Sequence, residues 1–268
     1  MRILIFFIAT LFWLQSIDAQ AYQGLKKTIE QSYGIEVEFD NIQFNGDLKG
    51  EVTAKPHTLS KILREGSLKA LEIDLSKYSK NLIRKFVKKI YIVDHLKIRE
   101  KKIAGTFDNS SGSIYVIRGY LGGMTPYATV FHHELSSLLL YTHFREGFYQ
   151  QWLSLNPPGF VYFIKQNSGI NPLDGDTDID GHEKFYKQGF VFGYGTVSFQ
   201  EDFNTFFELM IGDPVRLAKL EVKYPTIRKK AELLRQFYYG IVLQKVQPIT
   251  HERKSYSFDR DCIPYANC

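Results

Sequence analysis

The eleven residues Val130-Phe131-His132-His133-Glu134-Leu135-Ser136-Ser137-Leu138-Leu139-Leu140 limit what this chain can become more than any others. They read as the middle of a long helix that starts near Pro126, after the glycines at 119, 122 and 123, and runs to about Phe144. A helix this apolar has to be surrounded by the rest of the fold. It nevertheless carries a glutamate, and a buried carboxylate is costly unless a partner or a metal compensates it. Three of the seven histidines precede a Glu (His133, His182 and His251), so the dipeptide alone says little. Only His133-Glu134 lies in an apolar helical run, where a satisfied core pair and a functional pair both fit.

Around that helix the pattern is mixed. Residues 22–33 read as a short helix ending at Gly34, and Ile35-Glu36-Val37-Glu38-Phe39 alternates as a strand with one apolar and one acidic face. Helices are expected over 57–73, capped near Thr58 or Ser60, and over 76–88, where Tyr78, Leu82, Ile83 and Phe86 recur at helical spacing. Tyr91-Ile92-Val93 and Leu96-Lys97-Ile98 suggest a strand. Residues 104–107 and 113–117 suggest a hairpin closed by Asp108-Asn109-Ser110-Ser111-Gly112. Residues 154–195 are rich in loop formers. A helix then runs from near Ser198 to Ile211, ended by Gly212-Asp213-Pro214, and one or two more fill 214–243. Helices, a small sheet and helices again make an α+β domain. A chain of 268 residues with 15% aromatics can bury a large core, so one domain over 22–268 is expected, with room for a small N-terminal subdomain over 22–100.

The first 21 residues stand apart. Arg2, the apolar run Ile3 to Leu14 and the pattern Ala19-Gln20-Ala21 read as a removable signal peptide, too short to span a bilayer, which needs ~20 residues. Export to the periplasm, the cell surface or the medium follows, and no membrane span is expected in the mature chain. The formal net charge is +5, with basic residues scattered along amphipathic stretches such as Lys80 to Lys89. That pattern suits solvated helix faces and argues against a nucleic-acid partner. In an oxidising compartment Cys262 and Cys268, six apart, are expected to form a local disulfide. Asp174 to Gly181 carries a D-x-D-x-D-G core in which Asp176, Asp178 and Asp180 could hold calcium, although Lys187 stands where an EF-hand has its glutamate. A solvated acidic loop explains the same residues.

His133-Glu134 is also the opening of the zincin motif H-E-x-x-H. There two histidines one turn apart bind zinc and the Glu polarises the metal-bound water. Here Ser137 occupies the second histidine's position, and a neutral hydroxyl is a poor ligand. His143, ten residues after His133, reads as a cation at the helix C-terminus. Downstream, Gly189-Phe190-Val191, Tyr194-Gly195 and Ser198-Phe199-Gln200-Glu201-Asp202-Phe203 resemble the second motif of gluzincin-type zinc metallopeptidases, bacterial members included. The resemblance covers about residues 110–240. It implies a zincin-like fold, with a small sheet packed on the active-site helix and a mainly helical C-terminal half. It also implies that Glu201 is the third zinc ligand and that Tyr194 assists on the oxyanion side.

Two departures matter: Ser137 itself, and Thr205 where the family has a Glu one turn after the third ligand. Ser198-x-x-Glu201 is also a capping box, which would give Glu201 a structural role. Phe199, Phe203, Phe206, Phe207 and Met210 form that helix's apolar stripe, with Glu201 and Glu208 opposite. The resemblance thus implies an exported zinc metallopeptidase acting on a peptide or protein substrate. Zinc would sit on His133 and Glu201, with His132 the nearest replacement ligand, Glu134 the proton acceptor and Tyr194 the oxyanion donor. A pseudopeptidase that keeps the fold as a binding module is the rival, and a calcium-stabilised structural protein a third.

Overall fold

The computed structural model describes residues 22–56, 61–99, 101–122, 130–163 and 181–243. Residues 1–21, where a signal peptide is expected, Thr58 and Ser60, Pro126, the Asp-rich loop with Asp176, Asp178 and Asp180, and Cys262 and Cys268 lie outside the described residues.

Helix α1 spans residues 22–33 and stops where Gly34 adopts φ 67°, a left-handed conformation that costs glycine nothing. The Gly34 and Ile35 amides both turn back to the Glu30 carbonyl and close the helix end. Strand β1 (Glu36–Glu38) follows, with Ile35, Val37 and Phe39 buried and Glu36 exposed, as the alternation requires. Strand β2 (Val52–Pro56), helices α2 (Lys61–Ser76) and α3 (Lys80–Phe86) and the ten-residue strand β3 (Lys89–Ile98) come next. Helix α3 is shorter than the expected 76–88, because Ser79 caps it by accepting the Leu82 amide. Such a cap stabilises a helix by about 1 kcal/mol. Tyr78, Leu82, Ile83 and Phe86 are all buried.

Strands β4 (Lys101–Lys102), β5 (Gly105–Asp108) and β6 (Ser113–Ile117) complete a six-stranded mixed sheet. Its order is β1-β3-β6-β5, with β2 and β4 pairing antiparallel to the far half of β3. Strands β1 and β6 run parallel to β3, and β5 closes the expected hairpin antiparallel to β6.

The C-terminal half is helical: α4 (Val130–His143), α5 (Glu146–Leu153), the short α6 (Glu183–Tyr186), α7 (Phe199–Gly212), α8 (Pro214–Lys223) and α9 (Pro225–Val242). The α+β class is therefore observed. One face of the sheet, with Ile90, Ile92, Ile114 and Val116, joins Phe131, Leu135, Leu138 and Leu139 of α4 in a main core. That core reaches from Tyr22 to Ile241, so the first hundred residues share it with the helical half. The other face, with Tyr91, Val93 and Tyr115, belongs to a smaller core with Leu48, Val52 and Leu96. Among the described residues no helix is long and apolar enough to cross a membrane.

Candidate functional site

Helix α4 lies between the sheet edge and α7, with ten of its fourteen residues buried. On the sheet side Gly105 of β5 allows the approach. A Cβ there would come within 2.5 Å of Val130 Cγ1 and 2.9 Å of Glu134 Oε1. Glu134 is 7% exposed. Burial pushes its carboxyl up to about 8; His133 opposes the shift, and Glu201 and Glu208 add to it.

On the α7 side, His133 meets a polar face made by Glu201, Asn204 and Glu208. These residues are spaced i, i+3 and i+7, so they stack on one side of the helix. His133 Nε2 lies 3.0 Å from Glu201 Oε2, and Nδ1 lies 2.5 Å from Glu208 Oε1. Burial alone would strip the ring of its proton, yet the two carboxylates outweigh it and hold its pKa well above the ordinary imidazole value. The phenol ring of Tyr194, from the turn Gly193–Thr196, stacks over the imidazole with centroids 6.1 Å apart. His133, Tyr194 and Glu201 thus meet in one cluster, and Glu134, next along α4, lies near enough for the charges of His133, Glu201 and Glu208 to act on its carboxyl.

Ser137 faces the same space, as its position one turn after His133 demands. Its Oγ accepts the Asn204 amide at 2.7 Å and the Gln200 amide at 3.1 Å. The same Asn204 nitrogen lies 3.1 Å from His133 Nε2, and Asn204 Oδ1 contacts Ser136 Oγ at 2.5 Å. Turned end for end, the amide would offer oxygen to a protonated Nε2, so Asn204 can serve the ring in either proton state.

Three sequence expectations change. His132 is no replacement ligand: it points to the other side of α4 and is fully buried. Its Nδ1 lies 2.7 Å from the Tyr78 hydroxyl, and its Nε2 lies 3.2 Å from Lys77 Nζ and 3.6 Å from Asp74 Oδ1. Burial, with Lys77 adding, pulls its pKa down to about 3, so it is neutral. The roughly 100° between successive helical residues is the reason. His143 is no helix-end cation either: it is fully buried against the Phe86 ring, and burial lowers its pKa to about 4. Glu201 keeps only half of the capping box. Ser198 accepts the Glu201 amide, but the Glu201 carboxylate turns to His133, and its buried Oε2 receives no directed hydrogen bond.

The motifs assign no role to Asn204, Glu208 or Gln200. The polar i, i+3, i+7 face that starts at Glu201 is the signal for Asn204 and Glu208; Gln200 has none beyond its place beside Glu201. Glu208 supplies the carboxylate on the ring's other nitrogen, Nδ1.

Among the described residues no group of three or more His, Cys, Asp or Glu side chains could hold a metal ion. His133 Nε2 and Glu201 Oε2 are spaced for a shared ion with bonds of ~2 Å. The third position is a hydroxyl engaged by two amides, so the donor set does not fit zinc. No protein-family model, curated protein or solved structure matches the chain. What fold and site define is an α+β protein with a helix-borne histidine clamped between two carboxylates.

Proposed function

We propose that this chain is a zincin-type domain in which a proton and an amide have taken the metal's place: an exported pseudopeptidase that binds peptide or protein without cleaving it. The observation that supports this is the Asn204 side-chain amide, 3.1 Å from His133 Nε2 and 2.7 Å from Ser137 Oγ, the two helix positions that carry paired zinc ligands in H-E-x-x-H. A cation entering there must displace that amide and take the ring's proton, which Glu201 and Glu208 hold strongly. The sequence pattern of residues 1–21, read as a leader, supports the exported location. Calcium on Asp176, Asp178 and Asp180 is a separate proposal that rests on sequence alone.

The metallopeptidase reading keeps one observation in its favour: a buried, undirected Glu201 Oε2 only 3.0 Å from His133 Nε2. In that reading His133 and Glu201 would hold the metal, Glu134 would be the proton acceptor and Tyr194 the oxyanion donor.

Elemental analysis of protein purified without chelator, paired with a mixed-peptide cleavage assay, separates the two. The pseudopeptidase reading expects zinc far below one per chain and no cleavage. Zinc near one per chain, with cleavage abolished by Glu134→Gln, would overturn it.

A further inference from the structure

Asp202 follows Glu201 directly but points to the opposite side of α7, into the core, where it is fully buried. Its Oδ2 accepts three hydrogen bonds: from Lys230 Nζ at 2.6 Å, Trp152 Nε1 at 2.8 Å and the Tyr162 hydroxyl at 2.8 Å. The donors come from α9, from α5 and from the segment after α5. Lys230 is fully buried as well, its ammonium 4.1 Å from the centre of the Phe190 ring. The other carboxylate oxygen, Oδ1, receives no hydrogen bond. It faces the turn that carries Tyr194, since a Cβ on Gly195 would stand 3.5 Å from Oδ1 and 3.4 Å from Asp202 Cα.

A buried ion pair contributes little net stability compared with apolar side chains of the same volume, while removing one partner is expensive. Stability alone therefore gives little reason for a lysine here. Placement gives a better one. One carboxylate fixes the rotation of the first turn of α7 and abuts the turn bearing Tyr194, while Glu201, Asn204 and Glu208 leave the same helix on its other side. We infer that Lys230, acting through Asp202, is a positioning residue for the His133 site. It sets the angle at which α7 presents its polar face to the imidazole and the height at which Tyr194 lies over it. The inference does not depend on whether the cluster holds a proton or a metal.

The test is the full chain with ring-nitrogen-labelled histidine, comparing Lys230→Met, Asp202→Asn and the double variant. Asparagine still accepts from Trp152 and Tyr162, and methionine keeps the stem over Phe190, so the double variant restores a neutral, packed core. In folded Lys230→Met the His133 ring signals should move by several linewidths, while those of His95, in strand β3, stay in place. The double variant should regain most of the lost melting temperature and bring the His133 signals back toward their original positions. If Lys230→Met does not fold, Asp202→Asn and the double variant supply the same comparison. A fall in melting temperature with unchanged His133 signals would mean that the pair serves only the core, and would overturn the inference.

Discussion

The Asn204 side chain donates to Ser137 Oγ at 2.7 Å, linking α7 to the α4 position where a zincin carries its second histidine. Installing that histidine alone leaves Asn204 and Gln200 crowding the new ring, because both now reach the small hydroxyl. Ser137→His by itself should therefore bind zinc weakly. Ser137→His with Asn204→Ala frees the space and completes a set of two imidazoles and one carboxylate with His133 and Glu201. Zinc affinity should then rise by ~100-fold or more over the natural protein. Competition against a chromophoric chelator measures it. Equal affinities for the single and double variants would show that Asn204 is no obstacle.

Glu208 holds His133 Nδ1. A histidine whose folded pKa is raised contributes stability that is fully present below its unfolded pKa and is lost as pH rises through the folded pKa. Glu208→Gln removes part of that raising. The His133 titration should move down toward the ordinary imidazole range, and the protein should lose about 1–2 kcal/mol near neutral pH, less toward alkaline pH. Histidine NMR titration with denaturation curves across pH checks both. An unmoved His133 titration would leave the ring's proton to Glu201 alone.

The elements around this site were legible where one period dominated. Strand β1, the β5–β6 hairpin and the Ser198 cap of α7 follow from alternation, turn residues and a capping serine, all local in sequence. Glu201 lies 3.0 Å from the His133 ring. What could not be read was which helix turns which face where. Lys230 sits in a basic stretch, Arg228-Lys229-Lys230, that reads as solvated surface, yet it is fully buried because Asp202, 28 residues earlier, waits for it. His143 looked like a helix-end cation for the same reason: whether a terminal turn faces water is a tertiary matter, and here Phe86 covers it.

His143 offers the clearest acid-side test. Its folded pKa of about 4 lies below the ordinary 6.5, so the unfolded chain binds a proton that the folded chain refuses. Stability is then fully present above about pH 6.5 and falls as pH drops toward 4, by on the order of 3 kcal/mol over that range. Its buried Nε2 also lacks a hydrogen-bond partner. His143→Leu removes the titration and the unsatisfied nitrogen together. The variant should be at least as stable as the natural chain at pH 7 and should lose markedly less stability between pH 6.5 and 4 in urea unfolding. Parallel curves for the two proteins would refute the assignment.

The last expectation concerns Gly105, whose missing side chain lets α4 close on strand β5. A methyl group there would lie 2.5 Å from Val130 Cγ1, 2.9 Å from Glu134 Oε1 and 3.0 Å from Glu134 Cγ, all closer than Cβ atoms pack. The carboxylate end can swing, but Val130 is β-branched, with a restricted χ1 in a helix, so the approach of α4 is expected to give. Gly105→Ala should cost about 1–3 kcal/mol through overpacking. It should also carry Glu134 away from the burial that keeps its carboxyl near 8. Carbon-13 titration of the Glu134 carboxyl reads that second effect separately from stability. A destabilised variant whose Glu134 still titrates near 8 would mean that the methyl group is absorbed by Val130 alone, and that the helix holds its distance from the strand without help from the glycine.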